Sequence, residues 1–351
     1  LRTENVVFDK NTTVAYVPSD TYTGDLKWET TSQFNVGVDL SLFNNRLRMT
    51  ADYYRKKTTD LLNNVEMPRS SGYTTALRNI GSIRNSGFEL QLDGRIIDRA
   101  VKWDLGVNFS LNRSKVLVLS EDKDIFGGEL DNTILKDQLN LMRVGEPMYV
   151  FYGYVEDGYD ENGHIVYKNM DDDPAITAAD KTIIGDPNPD FLVNLTTAVS
   201  YKGFTLSAFF QSSIGNDIYS LSMAAQAYDY GYNGNTLREV YYNHWTPENP
   251  TAKYPNLDQT SYKMSDRFVY DGSFVRLKNL ELAYDVPCAR SKFIKRARAY
   301  VSAQNLFTIT SYPFWDPDIN ANGGGSSMIQ GVDSYCYPSA RTYTIGCRLT
   351  F

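Results

Sequence analysis

The chain has 351 residues, 42% of them hydrophobic, and a mean hydropathy of −0.40. No apolar run approaches the roughly 18–20 residues of a spanning helix, which excludes a helical membrane protein; barrel strands, apolar only at alternate positions, escape that test. The net charge of −7 speaks against nucleic acid as a partner, and two histidines, His164 and His244, are too few for a histidine-based metal centre or a nucleophile triad.

The opening Leu-Arg-Thr-Glu-Asn carries no export signal and reads as the middle of a longer chain. The first clean period-two segment is 34–42. Phe34, Val36, Val38, Leu40 and Leu42 take one face, and Asn35, Gly37, Asp39 and Ser41 the other. Asn44-Asn45 tolerates the positive φ of a tight hairpin turn. The return run sets Leu47, Met49, Ala51 and Tyr53 against Arg48, Thr50 and Asp52. Phe88, Leu90 and Leu92 begin a third strand. A short connection is expected at 96–100, and Trp103, Leu105, Val107, Phe109 and Leu111 form a fourth.

Val193 to Tyr201 and Phe204 to Phe210 flank Lys202-Gly203 as the next hairpin. Leu280, Leu282, Tyr284 and Val286 follow, with Val275 and Leu277 on the opposite parity, so a bulge is expected near Lys278-Asn279. Ala299, Val301 and Ala303 make a weaker strand. The last ten residues, 342–351, place Tyr343, Ile345, Cys347, Leu349 and Phe351 on one face and Thr342, Thr344, Gly346, Arg348 and Thr350 on the other. About ten residues, apolar on one side and polar on the other, suit a wall between lipid and water. The competing reading of such a strand is the final strand of a soluble sandwich. The count comes to about nine strands.

Loop lengths separate the two readings. If the last strand ends in the periplasm, 44–45, 96–100, 202–203 and 287–295 all fall on the periplasmic side. Segments 58–81, 113–190, 214–270 and 311–340 then all fall outside. Short turns on one side and long loops on the other is the outer-membrane pattern. The reckoning requires 113–190 to be one outward excursion with a small hairpin of its own, expected between 149–155 and 165–167. The 26 tyrosines fit strands and membrane–water interfaces. Cys288, Cys336 and Cys347 have no CxxC spacing. They fall at a periplasmic turn, in an outside loop and on the lipid face, so no disulfide between them is expected.

The runs 26–42 (LKWETTSQFNVGVDLSL), 43–61 (FNNRLRMTADYYRKKTTDL) and 79–92 (NIGSIRNSGFELQL) resemble the SusC/RagA class of TonB-dependent outer-membrane transporters. So do YGY at 152–154, TIIGDPNPDF at 182–191, WTPENPTAKYP at 245–255, FVRLKNLEL at 274–282, QNLF at 304–307 and the terminal strand. The resemblance spans nearly the whole chain. It implies an all-β fold, a transmembrane antiparallel β-barrel with long extracellular loops. This chain, 1–351, would be the C-terminal portion, about nine strands of a larger plugged barrel of about 22. The plug domain and TonB box are expected to be absent. Alone, such a sheet has two open edges whose backbone groups find no water in hydrocarbon, so it should not transport by itself.

The resemblance further implies import of a glycan or peptide across the outer membrane of a Gram-negative bacterium. The partners would be a SusD-like surface lipoprotein as lid, outer-membrane lipid, and the TonB complex acting through the missing N-terminal part. No enzymatic activity is expected. The rivals are a soluble β-rich carbohydrate-binding module or hydrolase, and a barrel enzyme or adhesin.

Two loops hold candidate sites. In 169–180 (NMDDDPAITAAD), Asn169, Asp171, Asp173 and Asp180 fall at positions one, three, five and twelve of a degenerate calcium loop. Pro174 stands where the sharp turn uses glycine, and Asp180 is shorter than the usual Glu, so a solvated acidic loop is the competing reading. The long aromatic loop 214–270 offers Tyr230, Tyr232, Tyr242 and Trp245 as substrate contacts. Rings and amides there suit sugars, extended peptides or a protein partner alike, and the family resemblance favours the lid. Residues 221–244 are expected to be helical, leaving Ala224, Ala225 and Leu237 as packing residues. Arg48, Asp52, Glu89, Asp104 and Arg348 are expected to face the lumen and meet the plug.

Overall fold

The computed structural model describes residues 2–8, 11–17, 21–23, 26–66, 69–71, 73, 75–79, 81–119, 123–131, 135–228, 235–288, 293–319 and 329–351. Nine strands form one antiparallel meander: β1 (Thr30–Leu42), β2 (Leu47–Thr59), β3 (Gly81–Asp98), β4 (Val101–Leu119), β5 (Phe191–Tyr201), β6 (Phe204–Ile214), β7 (Phe274–Val286), β8 (Arg296–Thr310) and β9 (Thr342–Thr350). Each pairs with its sequence neighbour, from β1 at one edge to β9 at the other. The tight turns adopt the expected backbone. Phe43, Asn44 and Asn45 have φ of 53°, 55° and 63°, and Lys202 and Gly203 have φ of 46° and 85°. Positive φ at the central turn residues matches the right-handed strand twist.

Registry sorts the side chains cleanly. Asp52 stands opposite Gly37 and Glu89, and Asn108 opposite Gln91 and Asn194. Gln211 stands opposite Arg276, and Arg276 opposite Thr308. These residues form one polar face across the sheet. On it Tyr54 lies over Gly87 and Tyr300 over Gly346, in space that any Cβ would fill. The opposite face carries the apolar sets, and among the described residues no layer packs against it. Val36 is 53% exposed, Leu206 48% and Leu349 46%. A soluble sandwich would bury these residues. An exposed apolar face of this breadth is what the lipid-facing side of a barrel wall presents.

The short turns gather at one end of the sheet and every long connection at the other. At the long-connection end lies a second, compact layer with a core of its own, including Phe151, Tyr167, Tyr219, Leu221, Met264 and Val332. Four short strands, Ile125–Phe126, Asn140–Met142, Val150–Gly153 and Thr182–Gly185, form its largest sheet. Among the described residues the larger buried hydrophobic cluster is therefore in the loops, where water provides the driving force.

Several local expectations need correction. The connection placed at 96–100 is only Arg99-Ala100, because β3 continues to Asp98 through an irregularity between Arg95 and Ile97. The excursion placed from residue 113 starts beyond Leu119. β4 runs on because Val116 and Leu119 are buried against Met142. The small hairpin is Glu156–Tyr159 with Ile165–Tyr167, while Val150–Gly153 joins the four-stranded sheet. Asp160 nucleates the tighter hairpin by accepting the N–H groups of Asn162 and His164. Segment 221–244 holds two short helices, α1 (Leu221–Tyr228) and α2 (Arg238–Tyr242). The weak strand extends to fifteen residues as β8. The bulge is where the parity switch put it, between Leu277 and Asn279.

Candidate functional site

The polar face of the sheet is one half of the candidate site. Thr50, Asp52, Glu89, Gln91, Asn108 and Asn194 surround an open depression of about 300 Å³ with no lysine or arginine in its lining. Asp52 and Glu89 stand directly opposite one another, an arrangement that repels unless a donor lies between them. Nearer the turn end a depression of about 660 Å³ is lined by both signs of charge, including Arg46, Arg48, Asp93, Arg95 and Asp104. Arg95 pairs with Asp104 at 2.8 Å, and Arg298 with Glu281 at 3.2 Å. These surfaces can hydrogen-bond a polar body filling the concave side.

The loop layer is the other half, and buried polar hubs hold it together. Arg267 and Glu156 are largely buried and joined by charge-assisted bonds, with the Arg267 Nε 2.7 Å from Glu156 Oε2. Glu156 also accepts the Ser265 hydroxyl, and Arg267 reaches the Tyr159 hydroxyl and the Lys253 carbonyl. Asp333, almost fully buried, accepts the Tyr312 hydroxyl at 2.6 Å and the Ser222 hydroxyl at 3.1 Å. Arg276, 1% exposed, pairs with Asp316 and Asp318. Sequence reading missed these hubs. Their partners are far apart in the chain and follow no motif. The one available signal was Arg276 itself, a charge on the polar parity beside a bulge.

The residues singled out from sequence do not form a single constellation. Tyr242 is 75% exposed and packs edge-on to Tyr241. The Trp245 ring covers Gly163, whose φ of +81° suits glycine, so that indole clamps the hairpin tip. Tyr230 and Tyr232 lie outside the described residues.

Asn169, Asp171, Asp173 and Asp180 are close in sequence, but their acceptor atoms turn onto the loop's own backbone. The N–H groups of Asp171, Asp173 and Ala175 bond to the side chains two residues before them. Asp180 is fully buried, and its two oxygens accept the N–H groups of Met170 and Thr177, each at 2.7 Å. Those donors hold its carboxyl below the usual carboxylate range. Among the described residues no three His, Cys, Asp or Glu side chains converge as a metal site would require. In this arrangement the bonded oxygens serve the loop's own backbone. Cys288, Cys336 and Cys347 form no disulfide, and are located at the turn end, in the loop layer and on the exposed apolar face.

Comparison with known proteins agrees with this architecture. Residues 8–306 match the family model described as TonB dependent receptor-like, beta-barrel. TonB-dependent receptor P3 of Formosa agariphila is 34% identical over 95% of this chain and 35% of its own length. TonB-dependent receptor SusC of Bacteroides thetaiotaomicron is 29% identical over 93% of this chain and 32% of its own length. The solved RagAB peptide transporter covers the whole chain with a TM-score of 0.80 at 27% identity, the match taking in 38% of that structure's chain. The RagAB peptide importer in its closed-closed state gives 0.81 at 27% identity, with 38% of its chain covered. The chain thus spans about a third of the length of the relatives it matches. With a nine-stranded meander, an exposed apolar face and a family match over most of its length, the chain belongs to the TonB-dependent receptor β-barrel family, among relatives of the SusC and RagA kind.

Proposed function

We propose that this chain is the wall and outer-loop part of an outer-membrane importer for glycans or peptides, driven through TonB and working with a SusD-like surface lipoprotein. The observation that carries the reading is the two-sided sheet: a broad exposed apolar face backed by a continuous polar face, with every long connection at one end. Hydrocarbon covers the first face. A plug domain supplied by the rest of the longer protein seats on the second, where Asp52, Glu89 and Asp104 accept its donors. The turn end faces the periplasm and the loop layer faces out.

In this reading the wall excludes lipid and the loops recognise the partner and the cargo. Tyr242, exposed on α2, packs against the lid, and Trp245 acts on recognition indirectly by holding the hairpin tip. Peptide cargo has support from the two structural neighbours described as peptide transporter and importer. The test uses the full-length protein in its own bacterium, with a labelled neutral oligosaccharide mixture and a labelled tryptic peptide mixture as probes. Uptake of one probe should vanish when the protein, the neighbouring lipoprotein or TonB is removed. Uptake of both probes unchanged in all three deletions would refute the importer reading.

A further inference from the structure

We infer that 311–319 and 329–341, the described arms of the connection between β8 and β9, form a strap crossing the mouth of the channel on the inner side of the wall, positioned by Arg276 and shielding the wall beneath it. The two strands it joins are hydrogen-bonded neighbours. Nothing in the meander requires a connection that travels away from them. Yet Val332–Asp333 pairs in parallel with Tyr219 and Ser220, in the strand Asp217–Ser220 that extends β6. Val269–Asp271, which leads into β7, occupies one edge of that extension, and Val332–Asp333 occupies the other. In the order of the wall that other edge lies toward β5. The strap therefore passes β7 and β6 before it turns back.

Its tip reaches further still. Gln330 exchanges two hydrogen bonds with the Asn140 side chain, at 3.0 and 3.4 Å. Gly331, with φ of +71°, fits against Pro187 and Phe151 where a Cβ would overlap the proline ring. Asn140 and Pro187 both belong to the connection between β4 and β5. The contacts of the strap thus run from β8 back to the segment above β4 and β5.

The side on which it crosses follows from Arg276. Its register partners Gln211 and Thr308 put it on the polar face. Its Nε donates to Thr308 Oγ1 at 2.9 Å, and its guanidinium pairs with Asp316, with Asp318 Oδ2 at 3.3 Å, and with Ser339 Oγ at 3.3 Å. Asp316 and Asp318 are on the outgoing arm and Ser339 is on the returning arm. Asp316 also accepts the Ser339 N–H at 2.9 Å, so the arms are tied to each other as well as to the wall. Both arms pass over the inner face of β7, and their cover leaves a guanidinium 1% exposed. Arg276 is a positioning residue: it sets where the strap lies and so how wide the mouth is on this side.

The inference rests on reading the polar face as the lumen, and the test separates the two. In cells carrying the full-length protein with its native cysteines changed to serine, single cysteines are labelled with a membrane-impermeant charged maleimide. Gln211→Cys reports from beneath the strap. Asn35→Cys reports from the polar face of β1, seven residues from the turn end of its strand as Gln211 is of its own. Val36→Cys reports from the apolar face. Gln211→Cys should react about tenfold more slowly than Asn35→Cys, and Arg276→Ala should remove the difference by speeding Gln211→Cys alone. Equal rates at the two sites with the strap intact, or a difference that survives Arg276→Ala, would overturn the strap. Asp333→Asn, which unties the tip and leaves Arg276 paired, serves with the same two outcomes where Arg276→Ala does not accumulate. Rapid labelling of Val36→Cys would instead overturn the assignment of the lumen.

Discussion

Replacing Leu195 and its neighbour Thr196 with arginine, one at a time, distinguishes a membrane wall from a soluble sheet most directly. Leu195 lies six residues from Tyr201 at the turn end of β5. At ~3.3 Å per residue and a tilt near ~45°, it stands roughly 14 Å above the turn, close to the middle of an apolar band about 25 Å tall. Its register partners are Val107 and Phe210, both on the apolar face. An arginine there meets hydrocarbon and should cost about 2–4 kcal/mol, a factor of roughly 30 to 1000 in the folding equilibrium. Thr196 points the other way, opposite Gly106 and Phe209, with the Asp93 carboxylate lying over Gly106 within reach of a guanidinium. Arginine there should change stability by no more than about 0.5 kcal/mol. The assay is guanidinium unfolding of the full-length protein in lipid vesicles, followed by tryptophan fluorescence. Equal losses at the two positions, or the greater loss at Thr196, would refute the assignment of the faces.

Four further outcomes test the loop layer and the topology. Arg267→Ala leaves Glu156, 11% exposed at its side chain, without its partner; the layer should lose about 3–5 kcal/mol, read as faster protease cleavage between 150 and 270 with the wall intact. The Asp180 carboxyl is held below its ordinary value of 3.8 by the N–H groups of Met170 and Thr177. Its contribution is present above that value and fades as the pH falls through the lower folded one, so Asp180→Asn should weaken the loop near neutrality and flatten its acid limb in pH-dependent melting. Because those oxygens already serve the backbone, calcium and chelator should leave the melting temperature unchanged, and a calcium-dependent rise would restore the metal reading. In whole cells an impermeant maleimide should reach Cys336 alone of the three thiols; Cys288 should react once the periplasm is opened, and Cys347 only in detergent.

How legible each part was depended on the range of the interactions that fix it. The wall could be read because its information is local. A period of two with β-branched and aromatic residues, an Asn-Asn or Lys-Gly turn, and a parity switch at Lys278-Asn279 each act within a few residues. Strand ends were less legible. β4 continues to Leu119 because Val116 finds Met142, a contact that alternation in the sequence does not announce. In the loops the polar side chains were visible but their partners were not. Asp171 and Asp173 looked like converging ligands, because spacing alone does not distinguish a carboxylate that turns toward a cation from one that caps the N–H two residues on. Arg276 and Asp316, forty positions apart, meet only because the last connection folds back over β7.

The same difference in range bears on how the two parts hold together. Among the described residues no layer packs on the outer face of the wall; in the proposed reading lipid and the neighbouring strands supply its stability. The loop layer has a buried core and a charged hub of its own, Glu156 with Arg267. Arg276 joins the two, since it grows from a wall strand and is buried by a loop. Loosening the wall at Leu195 should therefore leave the Glu156–Arg267 hub protected from protease, whereas cutting at Arg276 should free the strap while the lower strands stay inserted. Simultaneous loss of both parts from either change would mean that wall and loops are one cooperative unit, and the separate core in the loops would then have no independent role.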